Sequence, residues 1–147
     1  MPLHRILQPV LTPEQKKLIR IHSKLKLRIE LVPLKCHLKN VRSRIRKSQW
    51  NKIRQQVYMK ANYHCEICGK QGTMPPVECH EVWVYNEKTS IQKLKGFRAI
   101  CPLCHEVIHY GRAMCIGNED RAFDRFMKIN KLNKVAATDV ISAVWRQ

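Results

Sequence analysis

Two pairs of cysteines constrain this chain more than any other feature. Cys65 and Cys68 form one C-x-x-C pair, and Cys101 and Cys104 form another. Two residues between thiols let both sulfurs bind one metal ion at about 2.3 Å, and Gly69 suits the positive φ that such a turn often needs. Redox dithiols share this spacing, but two pairs that flank a predicted hairpin are more typical of a zinc site. We therefore predict one structural Zn²⁺ bound by all four cysteines, in a closed site that does not catalyse.

The remaining cysteines and the N-terminus indicate the compartment. Seven cysteines are an odd number, and in an intracellular chain the C-x-x-C pairs favour metal over disulfides. Cys36, Cys79 and Cys115 are most simply small buried or unpaired thiols. No apolar run has the length of a membrane span, and residues 1–17 lack the apolar segment and cleavage site of a signal peptide. We therefore expect a cytoplasmic protein.

The charge of the chain predicts its partner. In 147 residues there are 28 Lys and Arg against 11 Asp and Glu, a net charge of +17. Such a charge favours a polyanion, with nucleic acid as the first expectation and an anionic membrane surface as the second. The first third of the chain is the most basic, and we expect it to track phosphates without reading sequence. The candidate nucleic-acid-binding residues are Arg42, Arg44, Arg46, Lys47, Arg98 and Arg112.

The N-terminal half is predicted to contain two helices. One begins at Pro13, with Thr12 as its N-cap, since Thr is a favoured cap and Pro a favoured first helical residue. The other covers SQWNKIRQQVYMKAN, with Ser48 as its cap and Trp50 on its apolar face. The second helix leads directly into the first cysteine pair.

A strand hairpin is predicted between the two cysteine pairs. VECHEVWVY is rich in β-branched and aromatic residues and predicts a strand, NEKTS a turn, and IQKLKGFRAI the return strand. CPLCHEVIHYG then predicts a helix that ends at Gly111.

Two short helices are predicted at the C-terminus, EDRAFDRFMKIN and ATDVISAVW, the second capped by Thr138. Their spacing is that of a helix-turn-helix, but such a pair more often covers a core. The chain is thus divided into a basic N-terminal extension, a central core and a C-terminal helical pair, with the bounds 1–46, 47–113 and 114–147.

The histidines beside the second cysteine pair predict a second metal site. His105 and His109 are four residues apart, so a helix places both on one face. Cys104 precedes His105 by one step, which turns the side-chain direction by about 100° and separates thiolate from imidazole. The hairpin brings the strand that carries His80 against this helix. Three converging histidines predict a metal-assisted hydrolase, in which an imidazole takes a proton from water and the ion stabilises phosphate charge.

The region from 50 to 112 resembles the HNH endonucleases, in the form whose ββα-metal core is braced by two C-x-x-C knuckles. The resemblance is carried by CEICG, VECHEVWVYNE and IQKLKGFRAICPLCHEVIHYG. It extends more loosely to small stand-alone HNH proteins of phage and bacterial genomes. It implies an α+β fold with a ββα-metal HNH core, a four-cysteine zinc site and helical N- and C-terminal extensions. It also implies a DNA phosphodiester hydrolase of a bacterial or phage-infected cell that acts on double-stranded DNA with Mg²⁺ or another divalent cation.

The resemblance also implies roles for individual residues. His80 matches the first HNH histidine, the general base. His105 matches the final histidine, a metal ligand, and His109 matches an additional helix ligand of colicin-type DNases. Asn86 is a candidate for the middle Asn only because it lies in the hairpin.

One position departs from the HNH pattern and leaves alternatives open. Cys79 stands where the family often has a metal-binding Asp or His. Glu81 or Glu78 is then a candidate oxygen ligand. Alternatively the His80-Glu81 pair is shifted relative to the family pattern, so that His80 binds the ion and Glu81 is the catalytic base.

A second function of another class remains open. A non-catalytic zinc module that binds DNA or RNA would need the cysteines and the positive charge, with the histidines vestigial or part of the zinc site. Cleavage of DNA and the effect of histidine substitutions separate the two.

Overall fold

The computed structural model describes residues 10–86 and 88–147. Residues 1–9, which carry part of the signal-peptide expectation, and Glu87 of the predicted NEKTS turn lie outside the described residues. The fold is α+β, with one two-stranded antiparallel sheet and helices before and after it. Within the described ranges, none of the helices has the length and apolar character needed to cross a membrane.

Helix α1, Pro13–Lys24, begins where the sequence predicts. The Thr12 hydroxyl accepts a hydrogen bond from the Gln15 backbone N–H at 3.2 Å, and the Gln15 side chain accepts one from the Thr12 N–H at 2.9 Å. This reciprocal capping box satisfies two N–H groups that the helix itself leaves unpaired. The helix ends at Leu25, which is extended.

Helix α2, Lys47–Lys60, begins earlier than predicted. Its N-cap is Arg46, so the predicted cap, Ser48, is wrong and lies inside the first turn. The Gln49 side chain reaches back to accept a hydrogen bond from the Arg46 N–H at 3.0 Å. A side chain three residues into the helix therefore satisfies the backbone N–H of the N-cap residue.

Strands β1, Glu78–Asn86, and β2, Ile91–Ile100, form the predicted hairpin. His80 pairs with Arg98, and a bulge at Val82/Trp83 interrupts the register. Successive strand side chains point to opposite faces, so His80 and Glu81 point apart. His80 is the buried one of the two, at 3% exposure.

The helix after the second cysteine pair is broken in two. Helix α3, Pro102–Ile108, ends before His109, and helix α4, Tyr110–Cys115, follows. The predicted end at Gly111 is therefore wrong, since Gly111 lies inside α4. A Cβ at this position would meet the Trp145 ring at 3.1 Å. The glycine serves close packing against the C-terminal helix rather than termination.

The two C-terminal helices are α5, Glu119–Asn130, and α6, Lys134–Trp145. The second begins earlier than predicted, because Asn133 is its cap and accepts from the Ala136 N–H at 2.8 Å. The predicted cap, Thr138, is wrong. Its hydroxyl donates to the Lys134 carbonyl at 2.8 Å, the bond that a Ser or Thr makes inside a helix.

One buried core draws on all three predicted segments. Leu27 and Ile29 of the basic extension are 0% and 4% exposed and belong to it. Leu27 is also held by the Asn130 side chain, which accepts from the Leu27 N–H at 3.0 Å and donates to its carbonyl at 2.8 Å. Helix α1 packs against α6. The other members include Ile67, Ile100, Val107, Ile108, Tyr110, Phe126, Val140 and Val144.

Candidate metal centres

The four paired cysteines converge at one point, as predicted. Their sulfur atoms all lie within 4.8 Å of one another. The sulfurs of Cys68 and Cys101 are 3.8 Å apart. A tetrahedral zinc with Zn–S bonds of about 2.3 Å separates its sulfur ligands by about 3.8 Å. The cysteines are buried except for Cys68, which is half-buried, so these four residues could hold a zinc ion in a closed site.

Local backbone geometry forms the first of the two turns. Gly69 has a φ of 75°, in the region that glycine enters without a Cβ clash. Its N–H donates to the Cys65 carbonyl at 2.8 Å, and the Glu66 N–H donates to the Ala99 carbonyl at 2.9 Å. The first turn is thereby attached to the end of β2, beside the second pair. Cys101 is the N-cap of α3, and its carbonyl accepts from the His105 N–H at 2.9 Å.

A guanidinium lies against the thiol cluster. Arg125 Nη2 is 3.2 Å from the Cys104 sulfur and 3.7 Å from the Cys101 sulfur. Burial lowers the pKa of Arg125, but its hydrogen bond to Cys104, together with the charges of the neighbouring cysteines, outweighs this and raises the pKa overall. Four thiolates around one divalent cation would carry a net negative charge. The guanidinium of Arg125 offsets part of that charge. The sequence analysis missed Arg125, because in so basic a chain nothing distinguishes it from other arginines.

The three histidines form a second cluster on the other side of α3. Nitrogen atoms of His80, His105 and His109 all lie within 4.8 Å of one another. The ring centroids are 4.8 to 5.2 Å apart. His109 follows the end of α3, yet its N–H still donates to the His105 carbonyl at 3.1 Å. The predicted i, i+4 relation therefore survives the break in the helix.

Two carboxylates hold the outer nitrogens of this cluster. Glu78 Oε2 is 2.7 Å from His105 Nδ1, and Glu30 Oε2 is 3.1 Å from His80 Nε2. The hydrogen bond with His105 lowers the pKa of Glu78. Burial would raise the pKa of Glu30, but the hydrogen bond and charge of His80 outweigh it and lower the pKa. Both carboxylates are therefore ionised at neutral pH.

Of these two carboxylates, Glu78 is a candidate from the sequence, whereas Glu30, which lies 50 residues before His80, is not. The available signal was that Glu30 is the sole acidic residue between 15 and 65.

The inner nitrogens are placed to receive a cation. A neutral imidazole has one N–H. If each ring donates that proton to its carboxylate, His80 Nδ1 and His105 Nε2 face each other as two lone pairs at 3.2 Å. A tetrahedral ion with bonds of about 2.0–2.1 Å separates nitrogen ligands by about 3.3 Å. Burial, and then the charges of His105 and His80, lower the pKa of His109 to about 4, so it is neutral as a metal ligand must be.

The structure does not bring Glu81 into the histidine cluster. Its carboxylate accepts hydrogen bonds from the backbone N–H groups of Val41, at 2.9 Å, and Arg42, at 3.2 Å. The Trp83 indole N–H donates to it at 3.0 Å. Glu81 thus holds the loop before α2 against the hairpin, on the face of β1 opposite His80.

The other residues considered in place of family ligands are also outside the cluster. Cys79 is half-buried, and burial, together with the Glu81 charge, raises its pKa to about 11, so it is a neutral thiol. Asn86 accepts a hydrogen bond from the Thr89 N–H at 3.2 Å and belongs to the hairpin turn. Cys36 is buried and Cys115 exposed.

The candidate basic residues occupy three places. Four exposed cations lie in the loop before α2 and its first turn, Arg42, Arg44, Arg46 and Lys47. Arg98 is half-buried and donates to the Glu66 carbonyl at 3.3 Å, so it is tied to the first cysteine turn. Arg112 is exposed on α4, and its charge helps to lower the pKa of Glu78.

No protein-family model, curated protein or solved structure matches this chain. The observed α+β arrangement, with a strand hairpin followed by a helix that contributes to both clusters, is compatible with the resemblance to HNH endonucleases.

Proposed function

We propose that this protein is a metal-dependent endonuclease that hydrolyses phosphodiester bonds in double-stranded DNA. The observation that carries the proposal is the histidine cluster, in which two rings are each held by a carboxylate and direct their other nitrogens at one point. Carboxylate–histidine pairs of this kind fix ring orientation in metal sites. Three histidine ligands are also typical of catalytic ions, because they leave a position open for water and substrate.

His80 acts as a metal ligand in this proposal, as in the shifted alternative, and not as the general base that the resemblance implies; the base, however, is not Glu81. Its Nε2 is engaged by Glu30 at 3.1 Å, and its Nδ1 faces His105 at 3.2 Å. With the ring 3% exposed, neither nitrogen is free to take a proton from water. His105 and His109 keep the ligand roles that the resemblance implies.

Glu78 is the proposed proton acceptor. Its side chain is 40% exposed and lies beside the cluster through its contact with His105. Glu81, by contrast, is occupied by three N–H donors on the other face of β1. When bound, a divalent ion would offset charge on the phosphate and make a water molecule more acidic. Glu78 then receives the proton, while Arg112 at the rim attracts the phosphate.

The charge distribution supports nucleic acid as the substrate. Residues 31–65 contain nine Lys and Arg and no acidic residue. Their loop is held to the hairpin that carries His80, since Glu81 binds the Val41 and Arg42 N–H groups. Phosphate contacts from such a surface give affinity by releasing counterions from DNA. The basic loop and the candidate catalytic centre are thus attached to the same hairpin.

A plasmid nicking assay with Mg²⁺, Mn²⁺, Ni²⁺ or Zn²⁺ tests this function. The wild-type protein is expected to convert supercoiled to open-circular DNA, and His105→Ala to lose this activity while it keeps DNA binding. The exposed His64, outside the cluster, is the control, and His64→Ala should cut like wild type. Absence of cleavage with every metal, or equal cleavage by His105→Ala, would overturn the nuclease.

A non-catalytic zinc-dependent nucleic-acid-binding module is the second candidate. The closed four-cysteine site and the basic loop favour it, because neither needs the histidines to bind a polyanion. It predicts salt-dependent DNA or RNA binding by a zinc-loaded protein that never cleaves.

A further inference from the structure

The carboxylate on His80 comes from a part of the chain that the resemblance does not cover. Glu30 follows α1, 20 residues before the segment that resembles HNH endonucleases begins. Its Oε2 is 3.1 Å from His80 Nε2. The glutamate side chain is 38% exposed, whereas His80 is 3% exposed. The contact therefore reaches from the surface to a buried ring.

The backbone of this segment is held by hydrogen bonds at Glu30 and at the residue before it. The Glu30 N–H donates to the carbonyl of Ile108, the last residue of α3, at 2.9 Å. The preceding N–H, of Ile29, donates to the buried His22 ring at 3.0 Å. Ile29 itself is 4% exposed in the core. The carboxylate is thus attached by its own backbone to the helix that carries His105.

We propose that Glu30 is a positioning residue of the histidine metal site. Its carboxylate accepts a hydrogen bond from the His80 Nε2–H group. This contact fixes the tautomer and the ring orientation and leaves the Nδ1 lone pair directed at the cation. The proposal rests on the proposed metal binding by the histidine cluster, and it assigns the basic extension a part in building that site. Partners of this kind typically change metal affinity by 10-fold to 100-fold.

A purely structural role makes a different prediction. A buried N–H needs a hydrogen-bond partner, so Glu30 satisfies His80 whether or not a metal binds. Loss of that contact alone would lower thermal stability and leave metal affinity unchanged. Metal affinity measured directly, beside stability, therefore separates a structural role from a positioning role.

The experiment is a Co²⁺ titration of the full-length, zinc-loaded protein, followed by visible d–d absorption. Glu30→Gln keeps a hydrogen-bond acceptor but loses the charge, and Glu30→Ala loses both. The expected result is weaker Co²⁺ binding by about 10-fold for Glu30→Gln and up to about 100-fold for Glu30→Ala, with the zinc content unchanged. Glu14→Gln is the matched control, because Glu14 is an exposed glutamate on α1 whose only ion pair is with Lys17 in the described part of the chain. It should bind Co²⁺ like wild type.

Nitrogen chemical shifts of the His80 ring supply a second readout. With Glu30 present, Nε2 carries the proton and Nδ1 shifts when Zn²⁺ or Co²⁺ is added. Glu30→Ala should show a mixture of tautomers before metal is added. If Glu30→Ala loses its fold, Glu30→Gln, which has the same shape, decides the matter.

Each outcome bears on the proposal separately from the nuclease. Wild-type Co²⁺ affinity in both Glu30 variants, equal weakening in Glu14→Gln, or no Co²⁺ binding by wild type would overturn it. Weakened binding confined to the Glu30 variants supports it even if wild type nicks no DNA. If wild type nicks DNA and the Glu30 variants bind Co²⁺ like wild type, the proposed nuclease activity is supported and the positioning role of Glu30 is wrong.

Discussion

The two clusters share helix α3 but differ in which segments supply their residues and in how deeply they are buried. The cysteine site takes its ligands from two C-x-x-C turns, each formed by neighbouring residues, and is almost fully buried. The histidine site takes its ligands from β1, from α3 and from the break after it, and its orienting carboxylates are partly exposed. Local spacing specifies each half of the first site, and the two halves meet across 33 residues, whereas the second site also draws an orienting carboxylate from 50 residues before His80.

The adjacent residues Cys104 and His105 connect the cysteine cluster to the histidine cluster. Cys104 is 0% exposed and faces the thiol cluster, and Arg125 donates to its sulfur. His105 turns to the other side, where Glu78 holds it. The cysteine cluster thus includes residues at the start of a helix whose next residue belongs to the histidine cluster. A zinc ion bound by the cysteines would support the histidine cluster by holding this helix.

The largest expected effect follows from losing a thiolate. Structural zinc contributes about 10–16 kcal/mol of apparent binding free energy in small zinc domains, which is as large as the usual total stability of about 5–15 kcal/mol. Cys65→Ser and Cys101→Ser should therefore abolish cooperative unfolding, as seen by circular dichroism, and lose one zinc per chain by metal analysis. Cys115→Ser, at an exposed thiol outside the cluster, should melt like wild type. If Cys65→Ser kept both its fold and its zinc, the cysteine site would not be the structural one.

The next effect separates the two glutamates of β1. Glu78→Gln keeps an acceptor for His105 but cannot take a proton, so nicking at saturating metal should fall by about 100-fold or more, beyond the roughly 10-fold weaker Co²⁺ binding expected when a carboxylate on a metal-binding histidine loses its charge. Glu81→Gln should cleave within a few-fold of wild type, because Glu81 binds backbone N–H groups away from the cluster. Rates from a single-turnover nicking assay decide between them. The reverse order of the two rates would make Glu81 the base, as the shifted alternative predicts.

The same contrast explains what the sequence could predict. The two C-x-x-C turns, the hairpin and the pairing of His105 with His109 follow from spacing, because turns and helices relate residues only a few positions apart. The meeting of the two turns across 33 residues follows from the hairpin between them. Glu30 could not be found in this way, since nothing in a local pattern links it to a histidine 50 residues later. The end of α3 at His109 was also missed, because Gly111 signals a helix end but is used for packing against Trp145.

A smaller effect concerns stability in acid, through the residue that supports the Glu30 segment. Burial, and then the Arg28 charge, lower the pKa of His22 from 6.5 to about 4, and its Nε2 accepts from the Ile29 N–H. In the unfolded chain His22 keeps its ordinary pKa, so it is protonated at a higher pH than in the folded chain. The stabilisation is therefore complete above pH 6.5 and is lost as the pH falls towards 4. The loss should be on the order of 2 kcal/mol.

Urea unfolding at a series of pH values measures this loss. His22→Gln retains an acceptor for the Ile29 N–H but does not titrate, so its stability should fall less than that of wild type between pH 6.5 and 4.5. His37→Gln, at an exposed histidine, should follow the wild-type curve. Parallel curves for wild type and His22→Gln would show that protonation of His22 does not change the free energy of unfolding.

The smallest effect concerns DNA affinity, and it needs substitutions rather than truncation. Removal of residues 1–46 would also remove Leu27 and Ile29 from the core, so weaker binding by the remainder would say nothing about phosphate contacts. Arg44→Gln with Arg46→Gln changes two exposed cations in the basic loop instead. Each lost phosphate contact should reduce the slope of log affinity against log salt by about 0.9.

The matched control removes two exposed cations from the C-terminal helices, Lys128→Gln with Lys134→Gln. Both double variants have the same net charge, so a general loss of attraction would affect them equally. Fluorescence anisotropy on a short duplex, from low to moderate salt, should give a slope lower by about 2 for the loop variant and a nearly unchanged slope for the control. Equal slopes in the two variants would mean that the DNA contacts lie elsewhere on the molecule. In that case the loop that Glu81 holds to the hairpin would have a structural role only, and the open histidine site would have to draw its substrate to itself through nearer cations such as Arg112.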